Sequence, residues 1–136
     1  SFGPGGRTDE EARTAAEVRR ILGKPELRLS VASVRAPVFY AHTQLVWLRT
    51  RRRLPVEEAR QALREGTGLK LLDDPAERVY PMPMLALNDD AVLVGRLRED
   101  ESEENGLELV VCGDNLRAGA ASNAVAVARL LAERGP

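Results

Sequence analysis

The chain of 136 residues contains a single cysteine and a single histidine. Cys112 therefore has no partner for an internal disulfide, and the lack of any Cys/His cluster argues against a structural zinc site. No apolar run approaches the roughly 20 residues needed to span a bilayer, and no charged-then-apolar leader opens the chain. Neither sign of charge dominates, with 20 Lys+Arg against 21 Asp+Glu and a net charge of −1. No global field then draws the protein to nucleic acid or to an anionic membrane surface. Internal repeats, low-complexity tracts, a GxGxxG fingerprint and a P-loop are all missing. The unpaired thiol fits a reducing compartment, and a cytoplasmic location is expected.

What is present suffices for one domain. A chain of this length buries roughly two thirds of its unfolded surface. The opening Ser-Phe-Gly-Pro-Gly-Gly reads as loop. Its direct passage into a helix pattern is expected of a piece cut from a longer protein. Thr8, with Glu11 three residues on, forms a capping-box pattern, and helix is expected to about Leu22. Ala15, Val18, Ile21 and Leu22 would be its buried stripe, with Glu11, Arg19 and Arg20 left in water. Gly23 stops it. From Leu27 to Val34 the side chains alternate as in a half-buried strand, placing Leu27, Leu29, Val31 and Ser33 on one face.

Further strands are expected over Gln44 to Leu48, Leu69 to Leu72, Ala91 to Arg98 and Leu107 to Cys112. A helix from Pro55 to Glu65 should bury Ala59, Ala62 and Leu63. Four arginines among residues 49–53 lack interleaved aromatics, so solvated charges that guard an edge strand explain them better than nucleic-acid binding. The stretch 73–84 holds three prolines, and Tyr80 to Met84 reads as extended rather than helical. Met82 and Met84, lacking Cys or His neighbours, read as apolar filler at a core or interface. Cys112 reads as a buried, inert thiol. A final helix is expected from about Leu116 to Arg134, with Asp114 or Asn115 as its cap. The pattern as a whole predicts an α+β fold, a mixed and mainly antiparallel sheet with helices on one face.

The stretch from Val34 to His42 carries the candidate chemistry. Arg35 and His42 are seven residues apart, an odd offset that puts them on opposite faces of a regular strand. Pro37 lies between them and predicts a bend that could bring both to one side. A guanidinium grips a carboxylate with a two-point fork, and an imidazole titrates near neutrality, so the pair suits acid/base chemistry on an anionic substrate. A lone histidine in a strand is, by itself, more often structural than catalytic.

Three stretches shift that balance. VRAPVFYAH, DDPAERVYPMP and VGRLREDESEENGLELVVCGDNLRAGAASNAVAVA together resemble the C-terminal catalytic and dimerisation domain of aspartate-semialdehyde dehydrogenase. The resemblance implies the C-terminal fold shared with glyceraldehyde-3-phosphate dehydrogenase, spanning residues 1–136 as a single domain, with the dinucleotide-binding domain lying outside the chain. By the same resemblance, Arg35 binds the substrate carboxylate and His42 is the acid/base catalyst. Glu10 would bind the substrate amino group, and Asn115 would lie near the nicotinamide carboxamide. Arg13 stands where the family has a phosphate-contacting lysine, and a planar fork there replaces a compact point charge.

The implied activity is NADPH-dependent reductive dephosphorylation of β-aspartyl phosphate to aspartate semialdehyde, in lysine, threonine and methionine biosynthesis. NADP would be held mainly by the domain outside the chain. The family nucleophile sits in an Asn-x-x-Cys-Thr-like motif that this sequence does not contain, so the chain alone is expected to be inactive and to form a homodimer, with the dimer-versus-tetramer question open for the longer enzyme. A non-catalytic paralogue acting as a structural or interaction protein is the alternative. It would be free to lose Arg35 and His42, yet both are kept. The Asp-Asn-Leu and Glu-Asn-Gly signatures point away from the related acylglutamyl-phosphate reductase.

Overall fold

Thr8 and Glu11 close a capping box at the start of α1 (Asp9–Ile21). The Thr8 amide donates to Glu11 Oε2 over 2.8 Å and the Glu11 amide to Thr8 Oγ1 over 3.2 Å, which satisfies two of the orphan donors at a helix start. The computed structural model describes residues 2–135, and the chain divides into two compact units, one up to Pro37 and the other from Val38.

In the first unit, the expected strand after α1 does not form. Residues 24–36 lie outside any sheet, although Leu27, Leu29 and Val31 are half-buried and the residues between them exposed, as the alternation required. Helix side chains take the place of a neighbouring strand. Arg19 donates from Nε to the Leu27 carbonyl (2.9 Å) and from Nη2 to the Leu29 carbonyl (3.4 Å), and the Ser33 amide donates to Glu11 Oε1 (2.8 Å). Glu11 and Arg19, expected in water, are half-buried for this reason. The predicted stripe on α1 holds at Ala15 and Val18 but fails at Ile21 and Leu22, both exposed.

The second unit is built on a four-stranded sheet in the order β1-β4-β3-β2, from β1 (His42–Arg49), β2 (Leu69–Leu71), β3 (Val92–Glu99) and β4 (Gly106–Gly113). β1 and β3 both run antiparallel to β4, while β2 runs parallel to β3. The sheet is thus mixed and mainly antiparallel, as expected. Helix α2 (Val56–Glu65) seats Ala59 on Leu97 and Leu107, with Leu54, Val56, Leu63 and Leu109 around them. Val56, Ala59 and Leu63 form the inward row at helical spacing. Ala62, expected there, is exposed. A second cluster joins Ala41, Ala86, Leu93, Val110 and Cys112, with Leu72 against it.

Two local departures have simple causes. The ladder between β3 and β4 shifts register between Gly95 and Arg98, where Arg96 takes a positive φ of 52°, so one extra residue is accommodated as a bulge. Pro83 opens a single helical turn, α3 (Pro83–Ala86), where extended chain was expected; a proline at the first helical position loses no hydrogen bond. Met84, expected to fill a core or interface, is largely exposed.

Arg49 ends the edge strand β1 and pairs with Glu103 (3.0 Å), and Arg53, exposed in the loop that follows, pairs with Glu99 (2.9 Å). Cys112 is fully buried, its Sγ 3.4 Å from Thr43 Oγ1. Helix α4 starts at Ala120, not Leu116, and runs to Arg134 with every residue exposed. No helix among the described residues is long and apolar enough to cross a membrane.

Candidate functional site

The five candidate residues fall into two groups. Glu10 and Arg13 lie in α1, three residues apart and so on one helix face. Arg35 follows the segment that Arg19 and Glu11 tie down, and its Nη2 donates to Glu10 Oε2 over 2.8 Å. The two residues expected to bind opposite ends of an amino-acid headgroup are therefore in contact. Both side chains are more than half exposed. An ion pair so exposed holds weakly in water, so an incoming carboxylate can replace Glu10 on the guanidinium while an ammonium takes the freed glutamate.

Glu11, next to Glu10, is held below the usual carboxylate range by the Thr8 amide first and the Ser33 amide second. It stays charged near neutrality and keeps the segment fastened at Ser33. The sequence had marked Glu11 only as a helix cap.

His42 and Asn115 belong to the second unit. Residues 35–41, where a bend at Pro37 was expected, are outside the sheet, and β1 begins at His42, opposite Gly113. The chain bends at Pro37, and again at Phe39 and Tyr40. Ala41 then takes a φ of 65°, a left-handed conformation that a strand residue cannot share. The His42 imidazole is exposed. Asn115 reaches back across the sheet end, its Oδ1 accepting the Ala41 N–H over 3.2 Å. Arg35 thus pairs with Glu10 in one unit, and His42 adjoins the Asn115 contact in the other.

Asp114 or Asn115 was expected to cap the last helix, and neither does. Asp114 lies short of it in a turn, its carboxylate accepting the Leu116 amide (Oδ1, 2.9 Å) and the Asn88 amide (Oδ2, 2.9 Å). These amides, Asn88 first, hold its carboxyl below the usual aspartate range. Gly119 is the residue ahead of α4 and no side chain caps that helix. Ala41 is a site-shaping residue that the sequence did not single out, and Asp114 had been marked there only as a possible helix cap. An aspartate bonding the amide two residues on is a known turn signal, but its second bond to Asn88 joins parts of the chain 26 residues apart. No group of three or more His, Cys, Asp and Glu among the described residues is placed to hold a metal ion.

A family profile described as "Semialdehyde dehydrogenase, dimerisation domain" matches residues 3–118. The chain is 45% identical over 127 residues to an aspartate-semialdehyde dehydrogenase of Synechocystis sp., covering 93% of this chain and 38% of that protein. It is 41% identical over 130 residues to the aspartate-semialdehyde dehydrogenase of Aquifex aeolicus, covering 96% of this chain and 38% of that protein. The crystal structure of aspartate semialdehyde dehydrogenase II from Vibrio cholerae superposes with a TM-score of 0.92 at 36% identity, over 98% of this chain and 39% of that one. The chain thus spans less than half the length of the relatives it matches.

Proposed function

This chain belongs to the semialdehyde dehydrogenase dimerisation-domain family, and from that premise we propose that it serves as the substrate-binding and dimerising part of an aspartate-semialdehyde dehydrogenase. The reaction is reductive dephosphorylation of β-aspartyl phosphate to aspartate semialdehyde, with NADPH, on the route to lysine, threonine and methionine. One observation carries this reading: Glu10 and Arg35, a carboxylate beside a guanidinium at 2.8 Å, are the mirror image of the ammonium and carboxylate of an α-amino acid. A zwitterionic headgroup exchanges partners with them, each charge finding its opposite. Arg13, on the same helix face as Glu10, supplies a second fork for phosphate.

In this reading His42 moves protons at the reacting carbon, a task suited to an imidazole at neutral pH. A bound nicotinamide dinucleotide, held mainly outside this chain, would supply the hydride. Asn115 fits a place beside its carboxamide: Oδ1 is engaged by the Ala41 amide, which leaves the Nδ2 protons for a carbonyl oxygen. The nucleophilic cysteine would also come from outside the chain, since Cys112 is buried in β4.

Homodimerisation is proposed through the outer surface of β1. Leu45 and Trp47, same-face residues on this edge strand, are 60% and 59% exposed, and exposed aromatic and aliphatic side chains of this kind mark association surfaces.

The test is a chimera joining this chain to the part of the Synechocystis relative that it does not match. It should reduce NADP with aspartate semialdehyde and phosphate, and lose that activity with His42→Ala or Arg35→Ala. Activity that survives both substitutions sinks the site assignment. A folded, dimeric chimera with no turnover sinks the enzyme reading and leaves an interaction protein.

A further inference from the structure

Ala41 is 3% exposed and holds a φ of 65° immediately before His42. A side chain with a Cβ rarely adopts this backbone conformation, and it persists only where its surroundings enforce it. Its amide has one side-chain partner, Asn115 Oδ1 at 3.2 Å. Because a backbone N–H can only donate, this contact also fixes which end of the Asn115 amide faces Ala41. The strain of a left-handed alanine and the net gain from one hydrogen bond are of the same order, so that bond, added to the packing of Ala41 in its core cluster, is large enough to tip the conformer.

Asn115 is itself held on both sides. Asp114 fastens the turn through the Asn88 and Leu116 amides, and the Arg117 and Ala118 amides donate to the Asp114 carbonyl over 3.0 and 2.8 Å. On the far side, Gly119 passes so near that a Cβ there would lie 2.2 Å from the Asn115 carbonyl oxygen. A turn wound this tightly has little freedom to move Asn115.

We propose that Asn115 is a positioning residue for His42: by holding Ala41 in its left-handed conformation, it sets the direction in which the imidazole leaves the start of β1. The proton-transfer role of His42 rests on the function proposed above, whereas the conformational link stands on these contacts alone. Asn115 then has two duties on two atoms, Oδ1 for the backbone and Nδ2 for whatever binds beside it.

Three variants separate the duties. Asn115→Ala removes both. Asn115→Asp keeps an acceptor for the Ala41 amide but loses the Nδ2 donor. Asn115→Ala with Ala41→Gly removes the acceptor but relieves the strain, because glycine adopts positive φ without penalty. In the chain itself, NMR should show Ala41 amide exchange accelerating roughly tenfold in Asn115→Ala, with the His42 ring signals splitting or broadening. Asn115→Asp and the double variant should keep one sharp set of ring signals. In the chimera, Asn115→Ala should lower kcat by about 10- to 100-fold with KM for the semialdehyde little changed, and Ala41→Gly should recover much of it. Unchanged ring signals in Asn115→Ala, or no recovery on adding Ala41→Gly, overturn the proposal. An inactive chimera would refute the enzyme reading, while the ring signals would still decide this one.

Discussion

The Ser33 amide donates to Glu11 Oε1 across 2.8 Å while Oε2 of the same carboxylate takes the Thr8 amide. One side chain thus starts α1 and fastens the segment that delivers Arg35. Glu11→Ala should remove both, loosening the helix start and leaving Ser33 to exchange its amide as fast as an unstructured residue. The pH sign follows from the lowered carboxyl. A group whose folded pKa is depressed contributes its stability above the unfolded value, about 4.3 for a glutamate, and loses it as pH falls through the folded one. Ser33 protection should hold at neutral pH and disappear only under acid conditions; protection that fell on going from pH 5 to pH 8 would contradict the linkage.

Arg60 joins α2 to the end of β2. Its Nε and Nη2 both donate to Asp73 Oδ2, at 3.0 and 2.7 Å, and the Asp73 side chain is 2% exposed. Removing Asp73 leaves Arg60, a mostly buried charge, with only the exposed Glu57 for a partner. Asp73→Ala should therefore destabilise the second unit by roughly 3 kcal/mol, read as a lower urea midpoint with unchanged slope. Glu57, the other partner of Arg60, is largely exposed, and Glu57→Ala should cost well under ~1 kcal/mol. Equal costs for the two would show that burial does not set the difference.

Gly95 has no room for a side chain. A Cβ there would lie 1.8 Å from the Leu72 carbonyl oxygen and 2.8 Å from Pro81 Cδ. Backbone cannot give way like the tip of a flexible side chain, so Gly95→Ala should push Leu72 off β3 and break the bond from the Leu72 amide to the Val94 carbonyl, 2.8 Å in the structure. The expected cost is about 3 kcal/mol or more, with loss of amide protection at Leu72. A variant as stable as the parent in urea would count against this close approach.

Helix α4 stands without burial at any of its residues, Val125, Leu130 and Leu131 included. An isolated helix of about 12–15 residues is marginal in water. In this chain alone, amides of residues 120–134 should exchange orders of magnitude faster than those of β4. Slow exchange throughout α4 would mean that some partner, a second copy included, covers it in solution.

Several elements were readable from short-range chemistry. Thr8 and Glu11 announced α1 because a capping box needs only four consecutive residues. Alternation gave β3, apolar runs gave β1 and β4, and Gly66 ended α2 where expected. Elsewhere the pattern was right and its consequence was not. Leu27 to Val31 alternate in burial as a strand would, but the carbonyls find Arg19 rather than a neighbouring chain. Pro83 started a helical turn where three prolines suggested extension. Ile21 and Leu22 have helical spacing, and spacing alone does not provide anything to pack against.

The sequence by itself determined the class of fold and the family, and marked Glu10, Arg35, His42 and Asn115 as candidates, because capping, period-two alternation and motif identity are all local properties of the chain. Only the tertiary structure decided that Glu10 meets Arg35, and that Ala41 turns left-handed before His42. The partner that enforces that turn, Asn115, lies 74 residues away. A single hydrogen bond closed over such a separation outweighs a local backbone preference of similar size, and local preference is what a linear reading measures.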